Sequence, residues 1–371
     1  MIAGFASVRV LIAPDSFKGS ASAAAVAAAL AAGWLAVRPG DQVTRLPLAD
    51  GGEGTLDVLA ATVPGARWRR ARVTGPGGGP VHCRWLQLPG QVAVVELARA
   101  SGLPLLAHPD PMAAHTIGLG EVLGRALDAG ATRILVGLGG SASTDGGTGA
   151  LAALGARFLD ASGQPLPPGG GALATLAGAD LRRLRPPPPD GVTCLADVTA
   201  PLLGPRGAAA VYGPQKGADA AQIAHLEAGL TRLAEVLGGD PGAPGAGAAG
   251  GTGYGLAAAW GAGFAPGAAE LSRLAGLDRA LAGADLVITG EGRFDPTSLT
   301  GKTTGTVLAA AAAAGVPAAL VAGQVDGPVP DGIEAVTLAA LAGGAVPAQA
   351  SPARWLREAG RRLAGAAPAT S

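Results

Sequence analysis

The spacing of apolar and polar positions predicts alternating strands and helices at the start of the chain. Val8–Ala13 is a short apolar run that stops at Pro14. Ser20–Val37 is an alanine-rich stretch of helical length, with Ser20 at the N-cap position and Pro39-Gly40 past its end. Gln42–Leu46 reads as a second strand, followed by the loop PLADGGEGT and a helix to about Thr62. Strand, helix, strand, helix implies a parallel sheet covered by helices.

The pattern then changes. Arg69–Val73, Val81–Leu88 and Gln91–Leu97 are short strands separated by turn signals such as Pro89-Gly90, so this part reads as antiparallel. A helix from about Met112 to Ala129 leads to the strand RILVGL and a glycine-rich loop. Residues 160–192, with RPPPPD, read as surface loop, TCLADV as a buried strand, and 241–269 as a packed loop followed by a short helix. Near the end the first pattern returns: strand DLVITG, helix Thr303–Ala314, strands PAALVAG and EAVTL, and a last helix Pro352–Leu363. The expected architecture is therefore two-domain α/β. A discontinuous domain forms from 1–68 and 285–371, and residues 69–284 form an inserted α/β domain. Two such lobes would leave a cleft, a common place for a ligand.

Composition narrows the class. The chain has 371 residues with no net formal charge and no basic block, which argues against a nucleic-acid partner. Gly19–Val37 and Thr303–Val325 approach the length of a membrane span, but both are mostly alanine and the second is interrupted by Gly315 and Pro317. They read better as buried helices of a cytoplasmic protein. Cys83 and Cys194 are far apart and fit no metal spacing. Of 27 basic residues only Lys18, Lys216 and Lys302 are lysine. A chain so biased toward arginine keeps lysine where a compact point charge serves better than a planar fork, for instance against a phosphate oxygen.

Four glycine-containing loops carry charge at predicted strand ends, where open α/β sheets bind ligands. The first, PDSFKGS, holds Asp15, Ser16 and Lys18. The second, LADGGEGT, holds Asp50, Gly51, Gly52 and Glu53. The third, GLGGSASTDGGTG, combines Gly139, Gly140, Ser141, Asp145, Gly146 and Gly147 just before a helix, the arrangement of a phosphate cradle or of a tight strand–helix turn. The fourth, ITGEGRFDPTSLTGKT, ends in Gly301-Lys302-Thr303 but is no P-loop, because Pro296 stands where the required glycine would be. Its Glu291, Arg293 and Asp295 form a carboxylate–guanidinium–carboxylate run suited to magnesium and a moving phosphoryl group, or to a surface ion-pair cluster. Asp197 follows an apolar strand, so burial would demand a partner or a role. GPQKG places Lys216 between two glycines.

Taken together and in order, IAPDSFKGS, PLADGGEGT, VTGPGGGPV, GLGGSASTDGG, ADVTAPLLGPRGAA, GPQKG, PGAGAAGG and ITGEGRFD resemble the bacterial glycerate kinases of glycerate and glucarate catabolism. The resemblance covers about residues 8–325. It implies a flavodoxin-like domain plus a domain of restriction-endonuclease-like topology, and ATP-dependent phosphorylation of D-glycerate to 2-phosphoglycerate with Mg2+, by a monomer or homodimer. Under it, Lys18 would neutralise either the glycerate carboxylate or the moving phosphate. Asp197, or failing that Asp15, would accept the hydroxyl proton, and Glu291 and Asp295 would hold the metal. The remaining loop residues, with Lys216, Arg293 and Lys302, would bind substrate or nucleotide. The chain departs from the family pattern where GGSATNDGG reads GGSASTDGG, where TSYGTGE reads HTIGLGE, and after Asp295, where Gly301-Lys302-Thr303-Thr304-Gly305-Thr306 replaces Gly-Lys-x-Pro-x-Gly. The alternatives are a kinase of another small hydroxy acid and a non-catalytic nucleotide binder that kept the cleft. A dinucleotide-dependent dehydrogenase is disfavoured because residues 14–19 lack G-x-G-x-x-G.

Overall fold

The computed structural model describes residues 7–366. In chain order its strands are β1 (Arg9–Ile12), β2 (Gln42–Arg45), β3 (Arg67–Thr74), β4 (Pro80–Leu88), β5 (Val92–Glu96), β6 (Arg133–Gly137), β7 (Arg157–Leu159), β8 (Gly178–Asp180), β9 (Val192–Leu195), β10 (Gly263–Ala265), β11 (Leu286–Phe294), β12 (Ala318–Val325) and β13 (Glu334–Thr337). The α-helices are α1 (Ala23–Val37), α2 (Thr55–Thr62), α3 (Ala98–Ser101), α4 (Ile117–Asp128), α5 (Thr148–Ala153), α6 (Ala208–Tyr212), α7 (Ala220–Leu237), α8 (Ala248–Trp260), α9 (Gly267–Ala275), α10 (Leu277–Ala282), α11 (Thr303–Ala314), α12 (Leu338–Ala342), α13 (Ala345–Ala350) and α14 (Pro352–Ala366). Two compact units result: Met1–Asp50, Asp57–Pro64 and Pro266–Ser371 in one, Gly51–Leu56 and Gly65–Ala265 in the other.

The first unit is a five-stranded sheet in the order β13-β12-β11-β1-β2, with every pair parallel. Counted within the unit this is the flavodoxin order 2-1-3-4-5. A parallel sheet must be covered on both faces, and successive residues supply the cover. Val10, Ile12 and Ile288 join the core against α1 and α14. Leu11, Ala13 and Val287 join the opposite core with Leu277, Leu281, Val307 and Ala311. The second unit has a six-stranded mixed sheet, β10-β9-β6-β5-β4-β3, antiparallel from β3 to β5 and parallel from β5 to β10. A separate hairpin pairs β7 with β8. The α/β class, the terminal parallel sheet and the mixed inserted sheet agree with the sequence reading.

Several elements differ from expectation for identifiable reasons. The N-cap of α1 is Ser22, whose hydroxyl accepts from Ala25 N. Ser20 is instead held in the preceding turn, donating to the Phe17 carbonyl at 2.9 Å. Helix α4 begins at Ile117, not near Met112, because the Asp145 carboxylate takes both the amide and the hydroxyl of Thr116 at 2.8 Å. The 241–269 stretch contains a thirteen-residue helix whose Ala249, Gly250 and Gly251 are left-handed. Residues 170–180, read as loop, contain a 3-10 turn and β8. Helices α9 and α10 were not anticipated; their Leu271, Leu277 and Leu281 are buried, and they fall in the terminal unit. Cys83 and Cys194 are free and buried. Among the described residues no helix is long and apolar enough to cross a membrane.

Helices α1 and α14 pack backbone to backbone. A Cβ on Gly33 would stand 2.0 Å from the Arg357 carbonyl oxygen, and one on Gly360 would stand 2.4 Å from that of Leu30. Alanine in an open helix gains about 0.5–1 kcal/mol over glycine, but overpacking costs about 1–3 kcal/mol. Gly33→Ala is therefore expected to lose about 1–2 kcal/mol in urea unfolding. A stabilised variant would contradict this helix contact.

Candidate active site at the switch point of the parallel sheet

The order of the first sheet fixes where a site can form. After β1 the chain turns into α1 on one face, and after β11 it returns through α11 on the other. Between two such strands the helices part, and a crevice opens at the strands' carboxyl ends. Two of the charged loops meet there. Ala13 N donates to Ile288 O and Asp15 N to Gly290 O, both at 2.8 Å, so the ladder continues past β1 into the PDSFKGS turn. Phe17 plugs the core at 2% exposure and bridges to Ala21. Lys18 and Gly19 are left exposed, and Asp15 and Ser16 half-buried. On the other side β11 runs on through the glycine-acid motif to Phe294, which carries Glu291 into the same neighbourhood. Gly290 permits this packing, since a Cβ there would stand 1.9 Å from the Val321 carbonyl oxygen.

Carboxylates crowd this site. Burial and the neighbouring Asp50 carboxylate raise the Asp15 pKa to about 6, with Glu291 adding to the effect. The Thr303 hydroxyl and the Ser16 amide, which donates to Asp15 Oδ1 at 2.5 Å, act in the opposite sense. Glu291 is also raised, chiefly by burial and with a contribution from Asp295, against the stabilising influence of Ser298, Thr304 and Lys302. Thr303 and Thr304 open α11 beside these two carboxylates. Yet Glu291 Oε1, Thr303 Oγ1 and Thr304 Oγ1 are buried without completing a hydrogen bond.

The fourth loop is divided in its use. Asp295 Oδ1 caps the 3-10 turn Pro296–Leu299, accepting from Thr297 N at 2.8 Å and Thr297 Oγ1 at 2.5 Å, and these bonds hold its carboxyl below the usual range. Arg293 points outward to Asp326 at 2.5 Å. Lys302 is half-buried at the N-cap of α11. Glu291 therefore remains as the acid of this run with a buried oxygen, Oε1, outside hydrogen-bonding geometry, although Ser298 and Thr304 lie near enough to favour its charged form.

The second unit holds the other predicted residues. Gly139 and Gly140 are exposed, while Ser141, Asp145, Gly146 and Gly147 are buried. The Asp145 carboxylate is saturated from within, accepting from Thr116 N and Oγ1, Gly147 N and Gly149 N. Lys216, 2% exposed, donates to the Ser143 carbonyl, and desolvation lowers its pKa to about 8. Both side chains thus brace the glycine loop from inside. Gly51 is buried, Gly52 half-buried and Glu53 exposed. Asp197 is half-buried in coil two residues beyond the end of β9. One residue escaped the sequence reading: Glu96, a buried acid at the end of β5 that accepts from Leu56 N at 2.8 Å. Its signal was an acid closing the apolar run VAVV, after 38 residues (58–95) without Asp or Glu.

The sequence model of the glycerate kinase family matches residues 10–368. The chain belongs to the glycerate kinase family. It is 41% identical over 304 residues to the Escherichia coli K12 protein named glycerate 2-kinase, covering 80% of each chain. It is 41% identical over 330 residues to the Bacillus subtilis 168 protein named glycerate kinase, covering 86% of this chain and 85% of that one. The crystal structure of a candidate glycerate kinase 2 from Salmonella typhimurium LT2 superimposes with a TM-score of 0.81 at 36% identity, covering 97% of this chain and 98% of that one. The chain is therefore an enzyme of a kinase family, and the switch-point cluster lies on a fold shared by its relatives.

The Asp15 environment has a consequence for stability. Its pKa is about 6 in the folded protein against about 4 for an unperturbed aspartate. The folded state thus holds this proton more tightly. The group's contribution to stability is fully present below pH ~4 and is lost as pH rises through ~6. A difference of that size corresponds to about 3 kcal/mol, and partial solvent access reduces this. Asp15→Asn should therefore raise stability by about 1–3 kcal/mol near pH ~7 and change it little near pH ~4. Urea unfolding at the two pH values checks this; a variant destabilised at both would contradict the assignment.

Proposed function

We propose that this chain transfers the γ-phosphoryl group of ATP to the 2-hydroxyl of D-glycerate, giving 2-phosphoglycerate and ADP. Relatives named glycerate kinase and glycerate 2-kinase support the acceptor. The observation that carries the reading within this chain is Asp15, a carboxylate with a pKa of about 6 at the switch point. A general base works best with a pKa near the operating pH, so Asp15 would accept the proton of the attacking hydroxyl. Asp197, in the other unit, is the competing base. Lys18 lies three residues after Asp15 on the same turn, with its side chain exposed. As a point charge it would neutralise the glycerate carboxylate or the moving phosphoryl group.

Magnesium fits one part of this chain. Mg2+ is held by one or two carboxylates together with substrate phosphates rather than by an all-protein cage. Among the described residues no three metal-capable side chains converge, but Glu291 Oε1 is buried outside hydrogen-bonding geometry. Glu291 would hold the ion, which when bound supplies charge neutralisation on the phosphates. Asp295, engaged in its cap, would act at longer range.

ADP release with D-glycerate and ATP, with 31P NMR of the product, tests the reading. Asp15→Asn is expected to lower kcat by ~10²–10⁴-fold, and Lys18→Met by ~10²-fold. Asp197→Asn should change it less than ~10-fold; a loss of ~10²-fold or more there, with Asp15→Asn near wild type, would move the base to Asp197. Absence of glycerate-dependent ADP formation would sink the proposal.

A further inference from the structure

The loop 51–55 is fixed at both ends by contacts within its own unit. At its start, the Gly51 carbonyl oxygen lies 2.5 Å from where a Cβ on Gly137 would stand, and Gly52 Cα lies 3.1 Å from the equivalent point on Gly139. At its end, the Thr55 hydroxyl donates back to Gly52 O at 2.8 Å. The next amide, Leu56 N, donates to Glu96 Oε1 at 2.8 Å. Glu96 is 3% exposed, and its other oxygen accepts from Arg99 Nε at 2.5 Å. Arg99 in turn lies over the Trp68 ring at 5.7 Å. Between the two anchors, Gly54 is left-handed and Glu53 is exposed.

A buried ion pair is seldom the most stable filling for its space, since apolar residues of the same volume often do as well or better. What a carboxylate supplies and a leucine cannot is a directed acceptor for the Leu56 amide. We propose that Glu96 is the positioning residue that sets loop 51–55 for the hydroxy acid, an inference that rests on the kinase reading above. The carboxylate already occupies the N-terminus of α2, where a phosphate would otherwise be favoured. The ionisable side chain that the loop exposes is Glu53, an acceptor for the hydroxyls of a small polyol acid. Glu96 does not touch the substrate; it acts through the loop.

The test separates reach from charge. Glu96→Asp keeps the charge opposite Arg99 but is one methylene too short for Leu56 N. Glu96→Gln keeps the reach and an acceptor oxygen but loses the charge. Glu96→Asp is expected to raise KM for D-glycerate ~10-fold, the scale of one misplaced hydrogen-bonding group, with KM for ATP within ~2-fold. Hydrogen exchange at the Leu56 amide should quicken ~10-fold in the same variant. Glu96→Gln leaves Arg99 facing a neutral amide and should unfold at lower urea, yet in the folded enzyme its KM for D-glycerate and its Leu56 exchange should stay within ~2-fold of wild type. A Glu96→Asp enzyme with unchanged KM and unchanged exchange would overturn the proposal. So would a rise confined to KM for ATP. A kcat that merely follows the folded fraction, with KM constant, would reduce Glu96 to a structural role. Should the wild-type enzyme not use glycerate at all, the kinase reading fails, and exchange at Leu56 still decides whether Glu96 holds the loop.

Discussion

Parallel pairing of β1 with β11 is the contact on which the rest of the site depends. It joins segments 276 positions apart, with Thr289 Oγ1 donating to Ala13 O and Asp15 N to Gly290 O. Because α1 and α11 depart to opposite faces, the ends of these two strands are left without a helix directly above them. Polar residues can therefore be placed there next to a well-packed core. Asp15 and Glu291 are gathered there beside Asp50 at a price in stability, since burial raises the pKa of both and the Asp50 charge adds to the effect on Asp15. The dipole of α11 and the hydroxyls at its first turn relieve only part of this. Phe17, Val10 and Ile288 pack together in the core beneath this arrangement.

The three lysines show how one compositional signal can lead to three environments. Lys18 is exposed on the switch-point turn, Lys302 is half-buried at the start of α11, and Lys216 is enclosed in the second unit. Lysine suits the last position physically: an amine whose pKa falls to about 8 can shed its charge in a buried setting, whereas a guanidinium cannot. The bias toward arginine marked all three without telling these settings apart.

Much of the first unit was legible because its strands are short apolar runs bounded by proline or glycine, as at Ala13-Pro14. Helix Thr303–Ala314 was readable to its ends. The reading failed where alanine and glycine erase periodicity. Residues 267–282 form two helices whose buried face is marked by few large side chains, Leu271, Leu277 and Leu281 among them. Local polar competition was also invisible. Ser20 looked like a cap and is a turn residue; Thr116 lies outside its helix because Asp145, 29 residues away, takes its amide. The candidate loops at 15–18 and 291–295 were found from residue type, but which acid keeps a free oxygen depends on caps and ion pairs formed only in the fold. Glu96 was missed because its meaning comes from Leu56, 40 residues earlier.

Asp15, at the β1–β11 switch point, holds its proton poised near neutrality. A 13C NMR titration of the Asp15 carboxyl group in the unliganded protein measures this directly. The expected midpoint is about 6, moving down when Asp50→Asn removes the neighbouring charge. A midpoint at the ordinary value of about 4, unaffected by Asp50→Asn, would contradict it.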